Sequence, residues 1–256
     1  MKDFIIESFG TLFCDGSPIG PETAVSDGEI PAPEIGLEPI NSLKFGNSGH
    51  GTPMPWFKMG SLWVSCYVYC LGVSWRELQR MGYIYGTPIC IDGEKYLCRS
   101  MVLNNHGEWG RILKEYDILH DKHMKNASAF FGQDFVAGNG IFQEDRCSIA
   151  GDSSKPSLIR AVKVGVHNSE IGFRPVLEPI GPMPVVNSSM LGQSISLYCG
   201  AFRLDGTLLD YTDYDLVLKV EPNKVIDGQD LAGIAEHKDT VVVDREIILH
   251  MKENRM

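Results

Sequence analysis

The sequence predicts an α+β fold, in which short helices and β-strands lie between an extended N-terminal arm and a β-rich C-terminal extension. Three observations support this prediction: short apolar runs that alternate as strands do, two capped segments with helical periodicity, and a long segment dense in proline and glycine. The predicted boundaries are an N-terminal strand and arm at 1–58, a core at 59–184 and the extension at 185–256.

Composition limits the classes of function. The chain of 256 residues has 43% hydrophobic and 22% charged residues, which is typical of a globular protein with a sizeable core. A formal net charge of -10, without a basic run, argues against nucleic acid or an anionic membrane surface as the main partner. No apolar run is long enough to span a membrane, and acidic residues interrupt the apolar N-terminus, so we expect neither a membrane span nor a signal peptide.

The seven cysteines favour a protein made in a reducing bacterial cytoplasm. Their number is odd, and their positions lack the paired spacing of zinc sites. We therefore expect free thiols rather than a disulfide framework.

Residues 15–55 are predicted to form a docking arm. Seven prolines and seven glycines interrupt this segment, and no helix or strand period is sustained along it. Since ordering such a segment costs backbone entropy, contacts outside it must offset that cost. We expect contacts with its own core, with protein partners or with copies of the same chain, through four apolar anchors: Ile30, Ile35, Leu37 and Ile40.

The core begins with local signals of high specificity. The β-branched and aromatic run at 61–73 predicts a buried strand. Ser74 and Glu77 have capping-box spacing and Gly82 follows the last turn, so a two-turn helix comes next. Alternating residues around Asp92-Gly93 then predict a β-hairpin.

A second helix and a long loop follow. Trp109, Ile112, Leu113 and Tyr116 have the i, i+3, i+4, i+7 spacing of an amphipathic helix, which Asn105 and Glu108 are placed to cap. Residues 120–157 are polar and rich in glycine and serine, and a loop of this length is often functional. The candidate binding-loop residues are Asn139, Gln143, Asp145 and Asp152.

The segment 157–179 places Arg160 and Arg174 in two apolar runs that have the pattern of neighbouring buried strands. A buried guanidinium must be paired, so each arginine is either a structural clamp or part of a site. After a proline-rich joint, the extension contains further strand patterns, and Asp205-Gly206 predicts a hairpin turn within them. Asp205, Asp210, Asp213 and Asp215 do not have the register of a calcium loop and are interpreted as turn and edge charges.

The stretches "EWGRIL" and "SLIRAVKVGVHNSEIGFRPVL" resemble the sulfatase-modifying-factor (formylglycine-generating-enzyme) superfamily. Members of that superfamily have a Glu-Trp helix, a central glycine-rich region, an Arg-Ala strand and a terminal Gly-Phe-Arg strand. The stretch "VSWRELQRMGYIYGTPICIDGEKYLCRSM" also resembles uncharacterised bacterial and phage relatives, and the likeness covers residues 60–180. It implies a C-type-lectin-like core, made of short helices, twisted antiparallel strands and long irregular loops.

The resemblance also implies roles for particular side chains. The matching arginines of the superfamily hold irregular loops, so Arg160, Arg174, Trp109 and Glu108 are expected to be structural clamps. The oxidases of the superfamily use two neighbouring cysteines before the Gly-Phe-Arg strand, where this chain has only Cys147. Cys66 and Cys70 are expected on one face of the first buried strand, where burial makes thiols inert.

These observations favour a non-catalytic binding or structural module without a cofactor. The expected setting is a virion or phage-like particle, in which a tail, fibre or baseplate subunit presents a lectin-like surface to a cell-surface ligand. One alternative is a diverged metal-dependent oxidase or oxygenase, with His120 and His123 as candidate ligands of a divalent metal. A second alternative is a soluble inhibitor of a host protein, which the acidic charge allows.

Overall fold

The structure is a computed structural model that describes residues 5–20, 39–103, 107–115, 129–136, 145–151, 158–220, 233–237 and 239–254. Within these ranges the chain is mostly antiparallel β-sheet with two short helices, so the β-rich part of the prediction is confirmed. The helices are α1 (Trp75–Arg80) and α2 (Glu108–Glu115). The strands are β1 (Ile6–Phe9), β2 (Thr11–Cys14), β3 (Ser17–Ile19), β4 (Leu43–Gly46), β5 (Met54–Met59), β6 (Leu62–Ser65), β7 (Thr87–Ile91), β8 (Glu94–Arg99), β9 (Ala129–Val136), β10 (Arg146–Ala150), β11 (Arg160–Lys163), β12 (Ile171–Gly172), β13 (Val176–Pro179), β14 (Ser194–Tyr198), β15 (Arg203–Tyr211), β16 (Asp215–Lys219), β17 (Ile234–His237), β18 (Thr240–Asp244) and β19 (His250–Glu253).

The described strands form four sheets. The central sheet has the order β1-β5-β6-β13-β8-β7, and a second sheet has the order β11-β10-β9-β12. Strands β3, β2 and β4 form a small third sheet. We call these three sheets and both helices the core unit. The fourth sheet, with the order β17-β18-β16-β15-β14-β19, is called the C-terminal sheet.

The two most local predictions of the core are confirmed. Helix α1 has the full capping box, in which the Ser74 side chain accepts from the Glu77 backbone and the Glu77 side chain accepts from Ser74 N. Strands β7 and β8 form the predicted hairpin, and its turn residues Asp92 and Gly93 have φ of 52° and 88°. Positive φ at both turn positions matches the twist of the flanking strands, which is why Asp-Gly is favoured there.

The predicted strand at 61–73 is shorter than expected. Strand β6 ends at Ser65, and residues 66–73 continue as a buried, irregular segment. Tyr69 and Phe173 exchange two backbone hydrogen bonds of 2.7 Å, so this segment crosses the chain just before β13. A Cβ on Gly172 would lie 2.4 Å from the Tyr69 carbonyl oxygen, which explains why glycine is needed at this crossing.

The N-terminal segment contributes strands to the core unit. Strand β1 pairs with β5, and β4 pairs with β2, although residues 15–55 were expected to lack regular structure. The expectation failed because these pairings join residues about thirty or more positions apart, and a local period cannot reveal them. Ile40 is buried in the core unit, whereas the anchors Ile30, Ile35 and Leu37 lie outside the described residues.

Strand β11 corrects one prediction for the segment 157–179. It is an edge strand of its sheet and is largely exposed, so the expectation of a buried strand here is wrong. Its residues pair with β10, while β13 joins the central sheet between β6 and β8. The two predicted strands therefore belong to different sheets.

The C-terminal sheet has its own apolar core. Leu197, Leu208, Leu218 and Val243 are all fully buried in it. Asp205-Gly206 is not a turn, because β15 runs through both residues and the hairpin turn lies between Tyr198 and Arg203. A Cβ on Gly206 would lie 2.6 Å from the Lys219 carbonyl oxygen, so this glycine allows two strands to approach closely. Neither described helix is long and apolar enough to cross a membrane.

Candidate functional site

Arg174 lies in the middle of the core unit, between aromatic rings. Its side chain is only 2% exposed, and its guanidinium carbon lies 4.9 Å from the centre of the Phe130 ring and 6.0 Å from that of Trp109. The two rings pack edge to face at 5.1 Å. A guanidinium over an aromatic face gains a cation–π attraction that is strongest where water is excluded. Arg174 thus connects the start of β13 to helix α2 and strand β9.

A chain of charged side chains continues from helix α2 to the C-terminal sheet. The Arg99 guanidinium donates to both carboxylate oxygens of Glu108 and also to Glu178, at 3.1 Å from Nη2. Glu178 accepts a further hydrogen bond from Lys252 on β19. We call these four residues the junction, because they connect α2, β8, β13 and β19. Its centre is buried, whereas the Lys252 side chain is half exposed.

The Glu108 carboxylate also organises the backbone that precedes its helix. It accepts a hydrogen bond of 3.0 Å from Val102 N, beside the bidentate pair with Arg99. A bidentate pair fixes both planar groups, so the orientation of α2 relative to β8 is defined. Glu108 therefore has the geometry of a clamp, and its partner is Arg99.

Charge partners outweigh burial in the pKa values of two junction residues, Arg99 and Glu178. Burial alone would lower the pKa of the Arg99 guanidinium, but the hydrogen bonds and charges of Glu108 and Glu178 raise it. Burial alone would raise the pKa of Glu178, but Arg99 and Lys252 lower it. Arg174 differs, because burial outweighs the attraction of its neighbours there and lowers its pKa to about 10, which still leaves the side chain charged at neutral pH.

A second polar group of the C-terminal sheet lies beside the junction. His250 is buried, and its ring lies 6.0 Å from that of Tyr198. The guanidinium of Arg203 lies over the Tyr198 ring, 5.3 Å from its centre. The same guanidinium donates a hydrogen bond of 2.9 Å to Asp205. Burial lowers the pKa of His250, with Lys252 acting in the same direction and Glu178 against it.

The structure brings only some of the predicted site residues together. Trp109 and Arg174 are in contact, and Glu108 lies at the start of the same helix. Arg160 lies apart on the exposed edge strand β11, so its predicted burial is wrong; the apolar pattern of that strand could not reveal that it would stand at the edge of its sheet. Asp145 forms an ion pair of 3.1 Å with Arg76. The candidates Asn139, Gln143, Asp152, His120 and His123 lie outside the described residues.

The candidate residues predicted from the sequence did not include Arg99, Glu178, His250 or Lys252. A signal existed for Arg99, since "KYLCRSM" places a charge in an otherwise buried strand as "GFRPVL" does. Glu178 and Lys252 had no such signal, because they are 74 positions apart and meet only when the two sheets pack.

All seven cysteines are free thiols, and only Cys90 is exposed. Cys66 and Cys70 follow β6 rather than lying on it, and they belong to different apolar clusters, so their predicted arrangement on one strand face is wrong. Burial raises the pKa of Cys147 to about 12 and that of Cys14 to about 11. A thiol with so high a pKa forms little thiolate at neutral pH, and the thiolate is the reactive species.

No cluster of three or more metal-ligating side chains is found in the described parts of the chain. No family model, curated protein or solved structure matches the chain.

Proposed function

We propose that this chain is a non-catalytic binding or structural module, and that it serves as a subunit of a phage or phage-like assembly. In this proposal a C-type-lectin-like core presents a binding surface, and the N-terminal arm joins the subunit to protein partners or to copies of itself. The charged side chains of the interior hold the irregular parts of the fold in place.

The observation that carries the proposal is the way the junction uses its charges. Arg99 donates to two carboxylates, and each of those carboxylates also accepts a hydrogen bond from elsewhere, Glu108 from Val102 N and Glu178 from Lys252. Groups that are satisfied by one another in this way are held rigidly, and the pKa of Glu178 is lowered by its two cationic partners. A scaffold gains from such pairing, whereas a general base needs a pKa near the working pH.

The geometry around Ile40 supports the part of the proposal that concerns the arm. Ile40 N donates to the Glu77 carboxylate at 3.2 Å, and the Ile40 carbonyl accepts from Arg80 at 3.1 Å. Helix α1 thus binds both backbone groups of one predicted anchor, whose side chain is 1% exposed. This contact supports docking of the C-terminal end of the arm on its own core unit, which leaves the other three anchors for a partner.

The test separates the anchors that face a partner from the one that faces the core unit. We expect the triple substitution of Ile30, Ile35 and Leu37 by serine to leave the melting temperature unchanged and to abolish self-association. Size-exclusion chromatography with light scattering measures the mass of the particle. The matched control replaces Ile5, an exposed apolar residue directly before β1, by serine.

Two results would contradict the proposal. One is a wild-type chain that stays monomeric at all concentrations and binds no glycan or cell-surface preparation. The other is turnover of a cysteine-containing peptide with oxygen consumption, accompanied by one equivalent of copper that is lost on Cys147→Ser. That second result would favour the oxidase alternative.

A further inference from the structure

The core unit and the C-terminal sheet are joined by few features of the described chain. The apolar cluster of the C-terminal sheet contains no residue of the core unit, and no strand of that sheet pairs with a described strand of the core unit. The chain passes between them once, through the proline-rich joint at 180–186. A second contact lies where Gly82 and Gly200 approach, since a Cβ on Gly82 would be 3.4 Å from Gly200 Cα. Glu178 stands two residues before the joint.

Glu178 is the side chain that bridges the two units. It accepts from Arg99 of the core unit and from Lys252 of the C-terminal sheet. Loss of its negative charge would remove both ion pairs at once. Arg99 would then keep only its pair with Glu108 inside the core unit, and Lys252 would lose its carboxylate partner across the boundary.

His250 adds a second titrating group at the same boundary. From its own strand it faces Lys252, from β13 Glu178, and from β14 the Tyr198 ring. Arg203 lies on the far side of Tyr198 with Asp205, and Glu108 is held by Arg99 behind Glu178. A proton on His250 would therefore add a cation at a buried position beside Lys252, where burial and that like charge disfavour it and Glu178 favours it.

Protonation of either side chain opposes the packing of the C-terminal sheet against the core unit. Glu178 has a lowered pKa in the folded chain, so its contribution is present above the ordinary value of 4.5 and is lost as the pH falls through the folded value. His250 also has a lowered pKa, so folding favours its neutral form, and that contribution is lost as the pH falls below the ordinary value of 6.5. Acidification therefore weakens the boundary through both groups.

We propose that Glu178 and His250 form an acid-sensitive latch, which holds the C-terminal sheet against the core unit at neutral pH and releases it when both side chains are protonated. The joint at 180–186 then acts as the hinge. The separate apolar clusters allow each unit to stay folded during release. A binding module with such a latch changes the relative position of its two units only at a pH below the ordinary glutamate value of 4.5.

The full-length chain provides its own probe for this test. All four tryptophans, at positions 56, 63, 75 and 109, lie in the core unit. Tryptophan fluorescence therefore reports on that unit, while small-angle X-ray scattering reports the radius of gyration of the whole chain. On stepwise acidification, we expect the radius of gyration to increase before the fluorescence changes, and to return on neutralisation.

Three variants assign the response to the latch. Glu178→Gln, which cannot ionise, should move the midpoint of expansion to higher pH. His250→Phe keeps a ring against Tyr198 but cannot be protonated, so it should move the midpoint to lower pH. Glu253→Gln removes an exposed carboxylate from the same strand and should leave the midpoint unchanged.

The latch is wrong if the wild-type radius of gyration stays constant until the fluorescence also changes, or if Glu178→Gln has the wild-type midpoint. If Glu178→Gln does not give native fluorescence at neutral pH, Lys252→Met replaces it in the test. That variant removes only the ion pair between Lys252 and Glu178, which connects the two units. A raised midpoint in that variant supports the latch, and an unchanged one overturns it.

Discussion

Arg174 places a positive charge where water is excluded, and two aromatic faces lie within cation–π distance of it. A charge in this position is stabilised only as long as its surroundings stay complementary, because desolvation opposes it. The same residue type at Arg160 lies in solvent on an edge strand. Residue identity alone therefore does not determine a role at these two positions; the difference lies in which sheet receives the strand.

Arg174→Ala should lower the free energy of unfolding by about 3–5 kcal/mol, since it removes the charge and leaves a cavity beside Trp109 and Phe130. Arg160→Ala is the matched control at an exposed position and should change it by less than about 1 kcal/mol. Urea unfolding of both variants measures the difference. Equal stability of the two variants would remove the clamp role from Arg174.

The thiols give a second prediction at the scale of the residue. Because Cys90 is the exposed cysteine and burial raises the pKa of Cys14, Cys147 and Cys199, a thiol reagent at neutral pH should modify Cys90 first. Mass spectrometry should show one fast modification per chain. Cys90→Ser should abolish that fast phase, and a fast phase that survives would show that a buried thiol is accessible.

At the scale of the element, helix α1 both caps itself and binds the end of the arm. Glu77 accepts from Ser74 N and from Ile40 N, so one carboxylate serves the helix terminus and a chain segment 37 positions away. His167 lies 3.6 Å from the same carboxylate and contacts the Gly72 carbonyl. The element is therefore a small hub rather than an isolated two-turn helix.

Ile40→Ala should destabilise the chain by about 2–5 kcal/mol, since it removes a fully buried branched side chain from the core unit. The control is Ile5→Ala, where the side chain is 60% exposed and little change is expected. Thermal unfolding followed by tryptophan fluorescence measures both. A melting temperature unaffected by Ile40→Ala would mean that the arm does not dock on helix α1.

Elements defined by nearby residues could be predicted, and elements defined by distant residues could not. The capping box at Ser74 and the turn at Asp92 depend on hydrogen bonds and φ values within four residues. Gly206 misled the prediction because glycine serves a turn and a close strand approach equally well, and only the position of Lys219 distinguishes them. The junction could not be predicted either, since its residues are distant in the sequence and meet only where two sheets pack.

At the scale of the whole molecule, the apolar cluster of the C-terminal sheet is separate from the two clusters of the core unit, which predicts unfolding that is not two-state. In urea, tryptophan fluorescence should report the core unit alone, while far-ultraviolet circular dichroism should report both units. Val243→Ala, in the fully buried core of the C-terminal sheet, should shift the dichroism transition and leave the fluorescence midpoint in place. Ile84→Ala, in the core unit, should shift the fluorescence midpoint. Coincident transitions in every variant would show that the units unfold together.

The edge strand β11 has a consequence for how copies of this molecule meet. If two copies paired along it in an antiparallel arrangement, Arg160 of each would stand opposite Lys163 of the other, because the strand is four residues long. Like charges directly opposite each other disfavour strand pairing, and basic residues on exposed edges are a common protection against runaway sheet growth. The arginine that was expected to hold the interior together therefore helps to keep neighbouring molecules from fusing their sheets, and fibre formation should begin elsewhere on the surface.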